Sequence, residues 1–340
     1  TAPAWRLGNG IATAVVQGGA VYVGGTFTQL YTPSASQDQM VDLVTGQPRP
    51  ECARSTDATR ELSGTPDGFG GLLVVVHAGD AFADGTGAFS PPGGTTIVRV
   101  APNCQWDRNF AATSIDPSVP TDTNVGLPVR VGSVVYAANS VVDSQGFLRA
   151  QVATFDASSG ARLAFQIYPD TAEIALLGPG PTGAVARVRA RGAPTGQYVL
   201  GSISPFGLGL NTSTTALADE VLGPRFWVRG STLYRARPAP SNLLEAFDLF
   251  TLQPKSGWTS PVVPALVDLE VVGSRVFLTS DRVNGQAVPQ PSALVASTGA
   301  IDTTWAPAAL TRIAANPSGT PYTPALTALA TDGTRLYFSG

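Results

Sequence analysis

The chain carries a single histidine, His77, in the run Val74-Val75-Val76-His77-Ala78-Gly79-Asp80. Any Ser-His-Asp triad would have to use it. At the end of a β-branched run, His77 reads instead as a strand residue. One histidine and two distant cysteines, Cys52 and Cys104, do not make a zinc, copper or haem ligand set. No metal ligand is assigned and no cofactor is expected. Carboxylates remain, because glycoside hydrolysis needs only two of them at a defined distance. Asp80, Asp84, Asp116, Asp122 and Asp281 fall in loop-like segments, and their spacing singles out no pair. Asp80-x-x-x-Asp84-Gly85 lacks the ligand run of a calcium loop and reads as a solvated polar loop. No phosphate-binding Gly-x-x-x-x-Gly-Lys-Ser/Thr run is present, and no Gly-x-Gly-x-x-Gly opens a helix. No catalytic residue follows from the sequence.

What must position these residues is a repeat. A short apolar strand runs into a Gly-containing turn, and a second apolar strand follows, usually with an aromatic. Gly18–Val23, Val131–Tyr136, Arg229–Tyr234, Val272–Phe277 and Thr331–Tyr337 are the clearest copies. The second-strand markers fall near Tyr22, Val75, Tyr136, Val185, Tyr234, Phe277 and Tyr337. Their spacing of roughly 40 to 60 residues is the size of one four-stranded propeller blade. The predicted fold is therefore all-β, a seven-bladed β-propeller of four-stranded antiparallel blades forming a single domain over 1–340. Blades are expected near 8–50, 70–111, 125–169, 172–210, 220–261 and 265–307, with a last one shared between 324–340 and 1–7. That last blade lacks a third strand in the sequence, so a longer chain or a cut within the repeat is expected.

Within each unit the third strand leads into a turn of the form Asp-x-x-Thr/Ser-Gly. Asp42, Thr45 and Gly46 form one, and Asp156 with Gly160 another; Asp332-Gly333 marks the first turn of the last unit. Asp accepts from backbone N–H groups two residues on, and Gly takes the positive φ that the turn needs. A single carboxylate per turn does not make a calcium site. Unit five has a looser version at Asp248, and unit six has Val295 where the Asp would sit. The aromatics recur at one position per unit, which reads as packing between blades. Trp5, Trp106, Trp258 and Trp305 are expected to mark the fourth strand in the same way.

Charged residues make up 13% of the chain, about half the usual share. The net charge is −3 and no basic run appears, which argues against a nucleic-acid partner. No stretch reaches the roughly 20 apolar residues that span a bilayer. Little charge, one lysine (Lys255) and abundant Gly, Pro, Ser and Thr fit an extracellular or cell-surface protein with its signal peptide removed. In that setting Cys52 and Cys104 are expected to pair in a disulfide. Asn211-Thr212-Ser213 is a glycosylation sequon.

Asp332–Tyr337 and Gly18–Phe27, followed by Asp42-x-x-Thr45-Gly46, resemble the delta-60 repeat of bacterial β-propellers. A looser similarity is to kelch and galactose-oxidase-type propellers. The resemblance implies a propeller fold and export from the cell, and it carries over no catalytic residue. The expected function is a non-catalytic binding or structural module, in contact with other protein chains or surface glycans. The alternative is an extracellular hydrolase acting on glycans, with carboxylates at the mouth of the propeller channel.

Overall fold

Short β-branched runs cut by Gly-containing turns favour antiparallel pairing of sequence neighbours. The computed structural model describes residues 11–17, 20–25, 54–55, 64–76, 82–84, 86–89, 96–111, 113–115, 126–218, 225–305, 326, 328–331 and 336–339. Their regular elements are all strands. The chain divides into two compact units, 1–219 with 249–253, and 220–248 with 254–340.

In the first unit, sheet I comprises Gly64–Pro66, Leu72–Val76, Thr96–Val100 and Thr113–Ser114. Sheet II comprises Val129–Val131, Val134–Val142, Leu148–Asp156 and Arg162–Tyr168. Sheet III comprises Thr171–Gly180, Gly183–Ala190, Gln197–Ile203 and Leu210–Ala218. A hairpin, Ile11–Gln17 with Ala20–Gly25, lies ahead of them. Each of the three sheets is an antiparallel meander. Side chains of alternate parity go to opposite faces, and both faces of sheet II are covered. Val135 and Ala137 pack with Leu73 and Ile97 of sheet I. Tyr136 and Ala138 pack with Ile174, Ala186 and Val188 of sheet III. That two-sided cover is why Val134–Val142 is nearly continuously buried rather than alternating.

In the second unit, sheet IV contains Arg225–Arg229, Thr232–Ala236 and Leu244–Asp248. Its outer edge continues where the Lys255 N–H donates to the Ala246 carbonyl. Sheet V contains Leu269–Val272, Arg275–Leu278 and Ser292–Val295, and a last hairpin pairs Ala328–Thr331 with Leu336–Ser339. Tyr234, Leu244 and Ala246 of sheet IV pack on Leu269, Val276 and Leu294 of sheet V. Phe277 and Ala293 of sheet V pack on Leu329 of the last hairpin. Within each unit the sheets thus stack face to face in chain order, which is consistent with a propeller-like arrangement. Tyr136, Tyr234 and Phe277 are buried and each faces the next sheet.

One device latches successive sheets. A turn of the form x-x-x-aromatic follows the third strand at Asp107–Phe110, Lys255–Trp258 and Asp302–Trp305, closed by the aromatic N–H donating to the first carbonyl. The next residue reaches the following sheet: Ala111 N–H donates to Ser159 O at 2.7 Å, and Thr259 N–H to Thr298 O at 2.8 Å. Both acceptors sit in the turn before a glycine. A Cβ on Gly160 would stand 2.8 Å from the Phe110 ring and 2.7 Å from Ala111 O. A Cβ on Gly299 would stand 3.0 Å from the Trp258 ring and 2.5 Å from Thr259 O. The latching aromatic of sheet I is Phe110 rather than Trp106, the expected marker of the fourth strand. Trp106 instead bridges to Val100 and gives its backbone N–H to Asp84.

Cys104 is not a free thiol, and Cys52, its expected partner, lies outside the described residues. The conformation of Cys104, with φ of 66°, is set by a tight turn. In that turn the Cys104 N–H donates to Ala101 O and the Ala101 N–H to Gln105 O.

Gly160 and Gly273 both have positive φ, 72° and 58°, but nothing lies within 4 Å of a Cβ at Gly273. Gly273→Ala should cost about 1 kcal/mol for the backbone alone. Gly160→Ala should cost about 2–4 kcal/mol, because overpacking adds to that term. Urea denaturation of the two variants side by side checks the difference.

Candidate functional site

The described carboxylates are largely committed to turns and sheet contacts. The Asp156 Oδ1 accepts from the Ser158 and Ser159 N–H groups at 3.0 and 2.8 Å and from their hydroxyls at 2.5 and 2.9 Å. These bonds, that from the Ser158 hydroxyl foremost, hold its carboxyl down at about 2. The turn is closed by the Gly160 N–H donating to Asp156 O, and the same backbone bond closes Val295–Gly299 with no carboxylate present. Asp143 plays the equivalent part at a hairpin tip, accepting from the Gln145 and Phe147 N–H groups and from Arg149. The Phe147 bond is the main cause of its lowered pKa. Asp302 accepts from Thr304 and Arg275, which hold it at about 2.

Asp84, one of the sequence candidates, is buried and accepts from Thr86, the Trp106 N–H and Arg108. Burial pushes its carboxyl up, and these partners together outweigh burial and bring it below the usual value. Asp67, which the sequence did not single out, is fully buried in the first turn of sheet I. It accepts from the Phe69 and Gly71 N–H groups and pairs with Arg99 at 2.6 Å. Asp281 is exposed, and its backbone carbonyl takes the Val288 N–H. His77, Asp80, Asp116, Asp122, Asp42, Thr45, Gly46, Asp332 and Gly333 lie outside the described residues.

The first strands of the second unit are joined by a polar zipper. Arg229 grips Glu270 through Nε and Nη2 at 2.8 and 3.0 Å. The Asp268 Oδ1 accepts from Trp227 Nε1 at 2.9 Å and from its neighbour, the Leu269 N–H, at 2.8 Å. Its Oδ2 accepts from the Leu329 N–H at 2.7 Å. One carboxylate thereby ties sheet IV, sheet V and the last hairpin.

Sheet III holds a cluster of another kind. Register sets Glu173 of its first strand opposite Arg189 of its second. Arg187 lies on the same face two residues away, and Tyr198 of the third strand completes the group. The Tyr198 hydroxyl donates to Glu173 Oε2 at 2.9 Å, and Arg189 Nε approaches the same oxygen at 3.3 Å. Arg187 Nη2 stands 3.9 Å from Oε1, with its guanidinium 4.6 Å over the Tyr198 ring. Burial, then the hydrogen bond to Glu173, pushes the Tyr198 phenol above its ordinary pKa. A guanidinium pair and a phenol thus surround one carboxylate. Paired-carboxylate hydrolysis would need a second acid here. These arginines form no basic run in the sequence, although 187 and 189 share the period of a strand face. Among the described residues no group of three or more His, Cys, Asp or Glu is placed to hold a metal ion, and no helix is long and apolar enough to cross a membrane.

No protein-family model matches the chain, and no curated protein matches it. Solved structures similar to it include a prolyl endopeptidase, 11% identical with a TM-score of 0.44, covering 87% of this chain and 41% of that one. A puromycin hydrolase is 15% identical with a TM-score of 0.40, covering 88% of this chain and 53% of that one. The hydrazine synthase of Kuenenia stuttgartiensis is 12% identical with a TM-score of 0.38, covering 83% of this chain and 96% of that one. The chain thus spans about half the length of the endopeptidase and hydrolase chains. At these scores the likenesses carry no argument, and the all-β architecture rests on the sheets themselves.

Two outcomes follow from the carboxylates. Asp156 is depressed to about 2 from an ordinary 3.8, so its contribution to stability is complete above pH 4 and is lost as the pH falls through about 2. Asp156→Asn should therefore lose less stability than the parent between pH 5 and pH 2 in urea titrations. Asp268→Ala should cost about 2–4 kcal/mol, because three donors lose their acceptor at once. Asp268→Asn, which keeps one carbonyl acceptor, should cost less in the same denaturation experiment.

Proposed function

We propose that the chain is a non-catalytic binding or structural module, a seven-bladed β-propeller of the delta-60 type presented outside the cell. The observation that carries this reading is the commitment of its carboxylates. Asp67, Asp84, Asp143, Asp156, Asp268, Glu270 and Asp302 each accept from fixed donors that hold turns or join sheets. Glu173 is surrounded by two guanidiniums and a phenol rather than by a second acid. Loops carried on packed sheets suit recognition of partners. Sparse charge and the richness in Gly, Pro, Ser and Thr support an extracellular setting, with other protein chains or surface glycans as partners.

Incubation with bacterial cell walls and soluble wall polysaccharides tests this. The protein should co-sediment with the walls or self-associate at high concentration, and no reducing ends should be released. Release of reducing ends that disappears in Glu173→Gln would contradict the non-catalytic reading. A protein that stays monomeric and unbound to walls, glycans or protein would contradict the binding reading.

A further inference from the structure

We infer that Asn284 is a deamidation site, and that its conversion to isoaspartate releases a hairpin of the second unit from the segment it is tied to. This goes beyond the reading of the chain as a binding module and does not depend on it. The connection between the second and third strands of sheet V makes a small hairpin, Arg282–Val283 with Gln286–Ala287. Asn284 and Gly285 are its turn residues, with φ of 52° and 78°. Successive positive φ values mark the type I′ turn, which asparagine followed by glycine favours.

Asn284 is exposed, yet its side chain is held. Its Oδ1 accepts from the Val262 N–H at 2.8 Å, and its own backbone N–H donates to the Val262 carbonyl at 2.8 Å. Val262 in turn bridges to Leu243, and the Val263 N–H donates to Asn242 O, just ahead of the third strand of sheet IV. One asparagine therefore fastens an excursion of sheet V to a segment paired with sheet IV. Val283, the residue before it, is fully buried in the same cluster as Val263 and Leu266.

The chemistry needs only water and solvent base. The Gly285 N–H has no acceptor among the described residues, and glycine has no side chain to hinder its nitrogen. That nitrogen gives its proton to solvent base and bonds to Asn284 Cγ. The Cγ–Nδ2 bond breaks, and the amide nitrogen takes up a proton and leaves as ammonia. Negative charge gathers on Oδ1 along the way, the atom to which the Val262 N–H already donates. Water then opens the cyclic imide. Attack at Cγ gives aspartate, which keeps an acceptor for the Val262 N–H. Attack at the main-chain carbonyl gives isoaspartate, which routes the backbone through Cβ and Cγ. The longer turn cannot keep Val283 in register with Gln286. Asn103, Asn109, Asn139, Asn211 and Asn242 are each followed by a residue that has a side chain.

The test is a time course of the folded protein in mildly alkaline buffer, read by peptide mapping and by enzymatic methylation of isoaspartate. Asn284 should convert about tenfold faster than Asn103, Asn109, Asn211 or Asn242, with isoaspartate the larger product. Gly285→Ala should slow the conversion about tenfold, and nothing lies within 4 Å of the added Cβ to prevent folding. Asn284→Asp should unfold at the same urea concentration as the parent, and the separated isoaspartate form at a lower one. Conversion at Asn284 no faster than at the other asparagines would overturn the site. A rate unchanged in Gly285→Ala would remove the glycine nitrogen as nucleophile and the inference with it. An isoaspartate form as stable as the parent would show that Asn284 fastens nothing.

Discussion

The stack of sheets depends on a contact that only a missing side chain permits. Where Phe110 and Trp258 reach the following sheet, they lie against the bare α-carbons of Gly160 and Gly299. The N–H one residue further on then finds a carbonyl of that same turn. The apolar faces supply most of the attraction, since burial of aliphatic and aromatic surface dominates folding. Burial has no direction, however, and two flat faces could slide. The backbone hydrogen bond and the aromatic wedge set the register of one sheet upon the next. The latch couples sheet I to sheet II and sheet IV to sheet V.

Carboxylates do related work at shorter range. Asp156 and Asp143 each gather N–H groups that a tight turn would otherwise leave unpaired. Asp268 gathers donors from three successive elements. In a chain with so few charges, this leaves little acid for chemistry among the described residues. What distinguishes Glu173 is its company. Two guanidiniums and a phenol surround it, whereas Glu270 is gripped by the single guanidinium of Arg229.

Much of the fold was legible because the repeat has a strict physical cause. Tyr136, Tyr234 and Phe277 recur because each fills the same gap between sheets. Other features left weaker marks. The fourth strand of sheet III, Leu210–Ala218, reads Asn-Thr-Ser-Thr-Thr in its middle and carries no apolar run, because it lies at an edge. The hairpin of Phe82–Asp84 and Gly87–Phe89 sits in what reads from sequence as a solvated polar loop. In the Asp156–Gly160 turn the Asp accepts backbone N–H groups and the Gly holds a positive φ. Val295 closes the same backbone bonds as Asp156, so the positive-φ position does the shaping. At the looser fifth unit that position is Leu252, at φ 57°, where sequence gives no warning. The sheet III cluster was illegible for another reason. Glu173, Arg189 and Tyr198 are brought side by side only by strand register.

The central claim is that backbone latches lock sheet I to sheet II and sheet IV to sheet V. The most direct measurement is site-resolved amide hydrogen exchange at Ala111 and Thr259, which lie in irregular segments. If their N–H groups are the latches, both should exchange as slowly as strand amides such as Tyr136 and Phe277, through the same cooperative opening. Exchange at the rate of an exposed loop, with the strands still protected, would contradict the account.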